Sequence, residues 1–550
     1  MALVRESGRP CPHACSRSWR DSVHRKRRWL VHPRRVTFQG RGDGTGIGVA
    51  LVRLFRPLRT DGRTQRDWAC AWRLTRMRLP YPTGVRVPTF PALTDEQEAA
   101  VSAPAGPMLI VAGPGSGKTM VLAARIARLI DRQTVPPDRV LALTFAAKAA
   151  QELRSRLVRM VGTRGQEVDV ATFHSLGLRL IRRWPAPLGL PSGEVTVLHG
   201  NQAERTLLTA AAAMGTGIDH LSPTELALGL AQVRRVEERV PVDAQWSLLA
   251  AVYERLLQRQ GAVDFPAMLA WPLRLFREHP EALRLTRERY DAVLCDEAQD
   301  CALGEFHLVA QLAELHRHLV LVGDARQSIY GWRGADGHVL QRFEQAFPDR
   351  EIVSLNRNFR SNGQIVALAN ALGRSLGGDP LWTTNPLGEP VRLYVAADEW
   401  AEAVFVATEI TRLLHSEVVG PDDIAVLYRT HQQEPTLARA LLASNVPLHG
   451  EGGRSAVRLS TIHQAKGAEW DVVFLVGCEE GLLPHEHAVS SDTHDDLLAE
   501  LRLAYVAVTR PRQRLYLTVC RHRQRGGTHV VCRPSRFLTA LPPGLLTPVA

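Results

Sequence analysis

Continuous apolar runs recur along the chain, at Leu109, Val140, Val168, Val293, Leu319, Ile424, Val472 and Leu515. Runs without polar alternation are the pattern of strands buried on both faces, as in parallel sheets. The segments between them carry apolar residues at helical spacing, so the expected fold is α/β, with parallel sheets covered by helices. Two sheets account for the runs, one drawn from residues 88–175 and 280–352 and the other from 353–541. Residues 176–279 read as a mostly helical insertion, with Asn201 to Met214 and Trp246 to Gln260 as its clearest helices. A length of 550 residues accommodates three or four such units.

The run Met108-Leu-Ile-Val-Ala112 opens into Gly113-Pro114-Gly115-Ser116-Gly117-Lys118-Thr119 and then into a helix expected over Lys118 to Asp131. A strand, a glycine turn and a helix N-terminus in that order cradle phosphate oxygens with backbone N–H groups. Residues Ala112 to Gly117 are therefore nucleotide-binding candidates. Lys118 brings a point charge to the terminal phosphates, and the Thr119 hydroxyl suits a Mg²⁺ ion. Ala112 replaces the motif's usual first glycine, while Gly115 and Gly117 keep the turn. Asp291-Ala-Val-Leu-Cys295 is a second buried-strand run, and it delivers Asp296 and Glu297 at its carboxyl end, where open α/β sheets place their chemistry. Asp296 suits the metal and Glu297 suits polarising a water. The two halves together describe hydrolysis of a nucleoside triphosphate, with ATP and Mg²⁺ expected.

A series of further motifs follows in order. Leu93-Thr-Asp-Glu-Gln97, Leu143-Thr-Phe145-Ala-Ala-Lys, Ala171-Thr-Phe-His174-Ser and Val322-Gly-Asp-Ala-Arg-Gln327-Ser-Ile-Tyr330-Gly-Trp332-Arg333 lie in the first half. Leu355-Asn-Arg-Asn-Phe359-Arg360-Ser, Thr461-Ile-His-Gln-Ala-Lys466-Gly-Ala-Glu469 and Leu503-Ala-Tyr-Val-Ala-Val-Thr-Arg510 lie in the second. Through this series, from about Phe90 to Leu541, the chain resembles the UvrD/Rep-type superfamily 1 DNA helicases. The resemblance implies two RecA-like P-loop NTPase domains plus the inserted helical subdomain. It also implies that Arg360 and Arg510 reach from the second domain to the terminal phosphate, as arginine fingers do. Gln327 would sense that phosphate, Glu469 would approach the ribose or phosphates, and Gln97 would read the adenine. Phe359 stands where the family usually has Tyr, and either ring stacks on a base. For Gln97 a second reading stays open, because Thr94-x-x-Gln97 is also a helix capping box. Asp264-Phe265 matches a short family motif, with a plain helix start as the equal alternative.

Single-stranded DNA is the implied partner, gripped by Phe145, His174, Tyr330 and Trp332 with Arg333 beside them. A base stacked on an aromatic ring is worth about 1–3 kcal/mol and tolerates any sequence. Net charge adds little to this. Of the formal +12, residues 1–76 hold 18 Lys+Arg against 5 Asp+Glu, which leaves 50 against 51 for the rest. A neutral motor must build its affinity in a local groove.

Residues 1–76 are arginine-rich, acid-poor and without sustained periodicity, the composition of a disordered segment. A basic nucleic-acid arm, a targeting peptide and an over-long reading frame with its start at Met77 all fit them, the last best. Cys11, His13, Cys15 and His24 lack a second pair at zinc-ligand spacing. The remaining cysteines are scattered, as reduced thiols of a cytoplasmic protein would be, and no run is long enough to span a membrane. The largest departure from the family lies between Pro447 and Arg458, where only about ten residues stand in place of a large regulatory subdomain that contacts duplex DNA. Stepping along one strand is expected to survive this, whereas solitary unwinding would need a protein partner or self-association to replace the missing part. The chain also stops forty residues after Arg510, with no nuclease-like acidic cluster and no added interaction domain expected.

Overall fold

A computed structural model describes residues 92–215, 218, 220–234, 243–417, 419–448, 455–491, 493–525 and 527–549. The basic segment 1–76, with its cysteines and the candidate start at Met77, lies outside the described residues.

Two all-parallel six-stranded sheets organise the chain. Numbering their strands in chain order, the first contains β1 (Met108–Ala112), β2 (Val140–Thr144), β3 (Asp169–Thr172), β4 (Ala292–Cys295), β5 (Leu319–Gly323) and β6 (Glu351–Leu355), in spatial order β3-β2-β4-β5-β1-β6. The second contains β7 (Val391–Ala396), β8 (Ile424–Tyr428), β9 (Arg458–Thr461), β10 (Trp470–Leu475), β11 (Pro511–Cys520) and β12 (Leu546–Val549), in order β9-β8-β10-β11-β7-β12. Successive side chains of one strand enter opposite cores: Leu109, Leu141, Leu143, Val293 and Leu321 pack on one face of the first sheet, and Met108, Ile110, Ala142, Leu294 and Val320 on the other. That is why the inner strands read as unbroken apolar runs.

Strands β6, β7, β9 and β12 carry no such run. Three of them are sheet edges, and Glu351, Ile352, Arg458, Thr547 and Pro548 occupy them without full burial. Because β6 pairs with β1 through Leu355, the first sheet extends past the expected boundary at residue 352. Likewise β12 pairs with β7 and carries the second sheet past residue 541.

Between β3 and β4 the described residues are mostly helical, including Asn201–Met214, Ala244–Arg259 and Ala267–Glu278, with one short parallel pair of Thr196–Val197 and Ala262–Val263. In the second lobe, Val457 N donates to the Pro447 carbonyl at 2.8 Å, and Leu448 bridges to Val457. The two chain ends flanking the short connection are thus joined directly. None of the described helices is long and apolar enough to cross a membrane. Cys295, Cys301, Cys478 and Cys520 are buried free thiols.

Candidate functional site

The loop between β1 and the helix Lys118–Asp131 turns on Gly115 (φ 71°) and Gly117 (φ 84°), both in the left-handed region open to glycine. A Cβ on Gly115 would stand 2.8 Å from Arg360 Cβ and from Asn358 Nδ2. The bare backbone is what lets the second lobe approach. Lys118 Nζ donates to the carbonyls of Ala112 and Gly113 at 3.1 and 3.3 Å. Burial lowers its pKa, opposed by the carboxylates of Glu297, Asp324 and Asp296. Thr119 Oγ1 donates to Asp296 Oδ2 at 2.7 Å, which puts the hydroxyl and the carboxylate suited to Mg²⁺ side by side. These two oxygens and the open glycine turn fit a metal-bound triphosphate.

Glu297 follows with φ 52°, a left-handed conformation that is uncommon for a residue with a side chain. The bend hands its carboxylate to Gln299, whose Nε2 donates to it at 2.5 Å. Burial raises Asp296, reinforced by the neighbouring Glu297 charge. For Glu297, burial is outweighed by Lys118, Lys466 and Arg510, so it stays below the usual carboxylate range. A buried carboxylate kept ionised among cations is available to accept a hydrogen bond from a water and orient it. Gln299 Oε1 accepts from Asp324 N, Asp324 Oδ2 accepts from Gln327 Nε2 at 2.7 Å, and Gln327 Oε1 accepts from Arg510 Nη2 at 3.2 Å. A chain of hydrogen bonds therefore runs from Glu297 to an arginine of the second lobe.

Arg510 is buried yet pairs with no carboxylate among the described residues; its other bonds go to Val506 O, Ala468 O and Thr509 Oγ1. Burial, with Arg360 nearby, lowers its pKa, the condition of a cation that lacks an anion. Arg360 is held by Glu469 at 2.6 Å and by the Thr509 carbonyl, and Glu469 also pairs with Arg512 at 2.9 Å. Glu469 is thus engaged with arginines in this arrangement. Two contacts tie the lobes at the loop itself, Asn358 Nδ2 to Pro114 O at 2.8 Å and Phe359 N to Gly115 O at 2.9 Å, while Gly113 N to Leu355 O at 3.1 Å extends the pairing of β1 with β6 within the first lobe. Lys466 adds a third tie from the second lobe, with Nζ on both oxygens of Asp300 at 2.6 Å and on the Gln327 carbonyl at 2.5 Å. Of the readings of Gln97, the capping box is present, and the side chain also reaches the glycine loop. Its amide closes a capping box with Thr94 and also donates to Ser116 O at 3.0 Å.

On the other side of the segment 327–333 stands a cluster of rings. Phe145 stacks on Tyr330 with centroids 5.4 Å apart and planes 14° apart, Trp332 lies 6.4 Å from Tyr330, and His463 meets Trp332 edge-on at 6.0 Å. The Arg333 guanidinium sits 5.5–5.7 Å from the ring centres of Phe145, Tyr330 and Trp332. His174 packs against Phe265 with ring centres 4.0 Å apart and planes tilted by 30°. Burial pushes the His174 imidazole down to about 4, with Arg333 adding to the shift. Trp332 is 71% exposed and Phe265 49%, so apolar faces are open to a ligand. Such a surface suits unstacked bases.

A model of the UvrD/REP helicase N-terminal domain matches residues 93–348, and one of the UvrD-like helicase C-terminal domain matches residues 353–453 and 449–522. The chain belongs to the UvrD/Rep helicase family. It is 33% identical over 375 residues to the ATP-dependent DNA helicase PcrA of Staphylococcus epidermidis, and 34% identical over 375 residues to that of Staphylococcus aureus, in each case 66% of this chain and 51% of the relative. The chain spans about half the length of these curated relatives.

The family's fold is the one observed, two parallel α/β sheets with a helical insertion. The sequence candidates fall into two groups, Lys118 to Arg510 around the glycine loop and Phe145 to Arg333 in the ring cluster. Four further residues join them. Asp300, Asn358 and Lys466 sit inside recognisable motifs, but nothing local marks them as partners across the cleft. Phe265 was marked by its own short motif, and Asp264 beside it serves the helix start, accepting from Ala267 N at 2.9 Å. The helix-start reading is the one these contacts support.

Proposed function

We propose that the chain is a DNA-dependent ATPase that steps 3'-to-5' along single-stranded DNA and separates strands, in DNA repair or replication. The observation that carries the reading is the continuity of the two groups. Gln327 touches Arg510 and Lys466, while Tyr330, three residues on, stacks in the ring cluster and donates to the His463 carbonyl at 3.2 Å. In this reading the glycine loop and Lys118 bind the triphosphate, and Thr119 and Asp296 hold Mg²⁺, which neutralises charge on the phosphate oxygens. Glu297 orients and polarises the attacking water, and Arg360 and Arg510 stabilise the terminal phosphate, a contribution on the order of 10³–10⁵ in rate. Closing and reopening of the two lobes would move the rings relative to the bases.

The direct joining of Pro447 to Val457 favours a second reading, a translocase that strips or pulls single strands and unwinds only with a protein partner or a second copy. A catalytically idle DNA-binding adaptor is disfavoured by the unbroken chain from Glu297 to Arg510. Strand separation of a duplex with a 3' single-stranded tail, measured beside ATP hydrolysis on the same strand, tests all three. Both activities with a 3' tail and neither unwinding with a 5' tail support the first reading. Hydrolysis alone supports the second, and the absence of both overturns the assignment as an ATPase.

A further inference from the structure

We infer that Arg357 and Trp382 are positioning residues for the nucleotide base, which clamp Phe359 so that it offers a single stacking face; the inference rests on the ATP site proposed above. Phe359 N is bonded to Gly115 O and Gln97 Nε2 to Ser116 O, so a ring and an amide are anchored to adjacent carbonyls of the glycine loop. A base attached to a triphosphate in that loop would meet both. Phe359 is 42% exposed, so ring area is available.

One face of the ring is taken. The Arg357 guanidinium lies 4.7 Å from the Phe359 centroid and 5.2 Å from that of Trp382, itself 43% exposed. No carboxylate pairs with Arg357 among the described residues; its Nη2 donates to Thr384 Oγ1 at 2.8 Å and its buried Nε meets no acceptor. The cation is therefore held chiefly by two ring faces. Backbone bonds fix the spacing, with Asn358 N on Trp382 O at 2.7 Å and Trp382 N on Asn356 O at 3.0 Å. A planar cation between two rings blocks one side of Phe359 and restrains its rotation, so a base can dock only on the other side. This support is independent of a ring hydroxyl, which Phe359 lacks.

The test is DNA-stimulated ATP hydrolysis by the full chain, comparing wild type with Arg357→Ala, Trp382→Ala, Trp382→Phe, Phe359→Ala and Trp382→Ala/Phe359→Ala. Mg²⁺-inorganic triphosphate serves as a competing ligand without a base. The expected result is a KM for ATP raised about 3- to 10-fold by Arg357→Ala or Trp382→Ala at unchanged kcat, with Trp382→Phe close to wild type. The inhibition constant of inorganic triphosphate should not move, and the double variant should be no worse than Phe359→Ala alone. An unchanged KM, an equal rise in the triphosphate constant, or effects that multiply in the double variant would each overturn the inference. Failure of the wild type to hydrolyse ATP would instead overturn the proposed ATP site.

Discussion

Lys466→Met removes one half of a buried pair that spans the cleft. The Lys466 and Asp300 side chains are 8% and 2% exposed, and the ammonium also holds the Gln327 carbonyl. Deleting one partner of a buried pair costs about 3–5 kcal/mol when the other charge stays buried. Asp300 has an escape, because burial already pushes its carboxyl up to about 7 against the pull of Lys466. Without the ammonium it takes up a proton, at about 1.4 kcal/mol for each pH unit above its pKa. The lost carbonyl contact adds about 1.5 kcal/mol. Near pH 8 the total is roughly 2–3 kcal/mol, or about 30- to 150-fold in the closed-to-open equilibrium.

The cost falls on closure and not on the fold, since opening the cleft hydrates Asp300. The expected outcome is a loss of about 30-fold or more in kcat/KM for DNA-stimulated ATP hydrolysis at pH 8, with Tm within a few degrees of wild type. Adding Asp300→Asn should cost little more. The sign with pH is fixed by the direction of the Asp300 shift. An acid with a raised pKa is protonated in the closed state below about pH 7, with or without Lys466, so the ratio of wild type to variant should shrink as pH falls from 8.5 to 6.5. A defect that stays constant with pH, or one that Asp300→Asn multiplies, would refute the pairing as the origin of closure.

Three other outcomes follow from the same geometry. Lys118→Ala should lower ATP hydrolysis by at least about 100-fold while leaving Tm near wild type, and retained hydrolysis would sink the site. Tyr330→Ala with Trp332→Ala should raise the DNA concentration for half-maximal stimulation by about 5- to 150-fold per base stack lost, whereas Tyr330→Phe, which keeps the ring, should cost far less; equal losses would assign Tyr330 to lobe contact instead. His318, 2% exposed, has its pKa pushed down to about 4 by burial, with Arg125 and His316 adding to it, so the folded chain refuses a proton that the unfolded chain accepts between pH 6.5 and 4. Asp300 and Glu305 shift upward and act in the opposite sense, so the measure is a difference: His318→Phe should gain Tm relative to wild type as pH falls through that window, and parallel curves would refute it.

Much of the candidate nucleotide site was legible because its rules are local. A buried strand, two glycines at positive φ and a helix beginning at Lys118 lie within one stretch of chain, and the helix spans Lys118–Asp131 as its pattern predicts. Burial on both faces likewise made the inner strands visible. The edge strands β6 and β9 were not, since Ile352 can face solvent there and Arg458 and Ser460 interrupt the apolar run. Lys466 with Asp300 and Asn358 with Pro114 lie 166 and 244 residues apart, and no spacing rule reaches across that distance. The sequence also left Gln97 between two roles; the capping box accepts through Oε1 and leaves Nε2 to reach the loop at Ser116 O.

How nucleotide state would reach the DNA side follows from the segment 324–333. Asp324 and Gln327 belong to the hydrogen-bond chain from Glu297, and Tyr330, Trp332 and Arg333 belong to the ring cluster. Nothing flexible separates them, because Gln327 and Ser328 are bonded back to Asp324 and Ala325 in a tight turn and Arg333 N returns to Tyr330 O at 2.9 Å. The second lobe grips this short segment at both ends, through Arg510 and Lys466 at Gln327 and through His463 at Tyr330. A triphosphate entering the loop would compete for Arg510 and Arg360, weakening the Arg510 part of the first grip while Lys466 and the ring contacts remain. Lobe movement would then pivot about Tyr330. In this arrangement a change of one charge-assisted bond on the nucleotide side, about 1.5–3 kcal/mol, is comparable to the stacking energy of one base on a ring, so either ligand is able to shift the other's equilibrium.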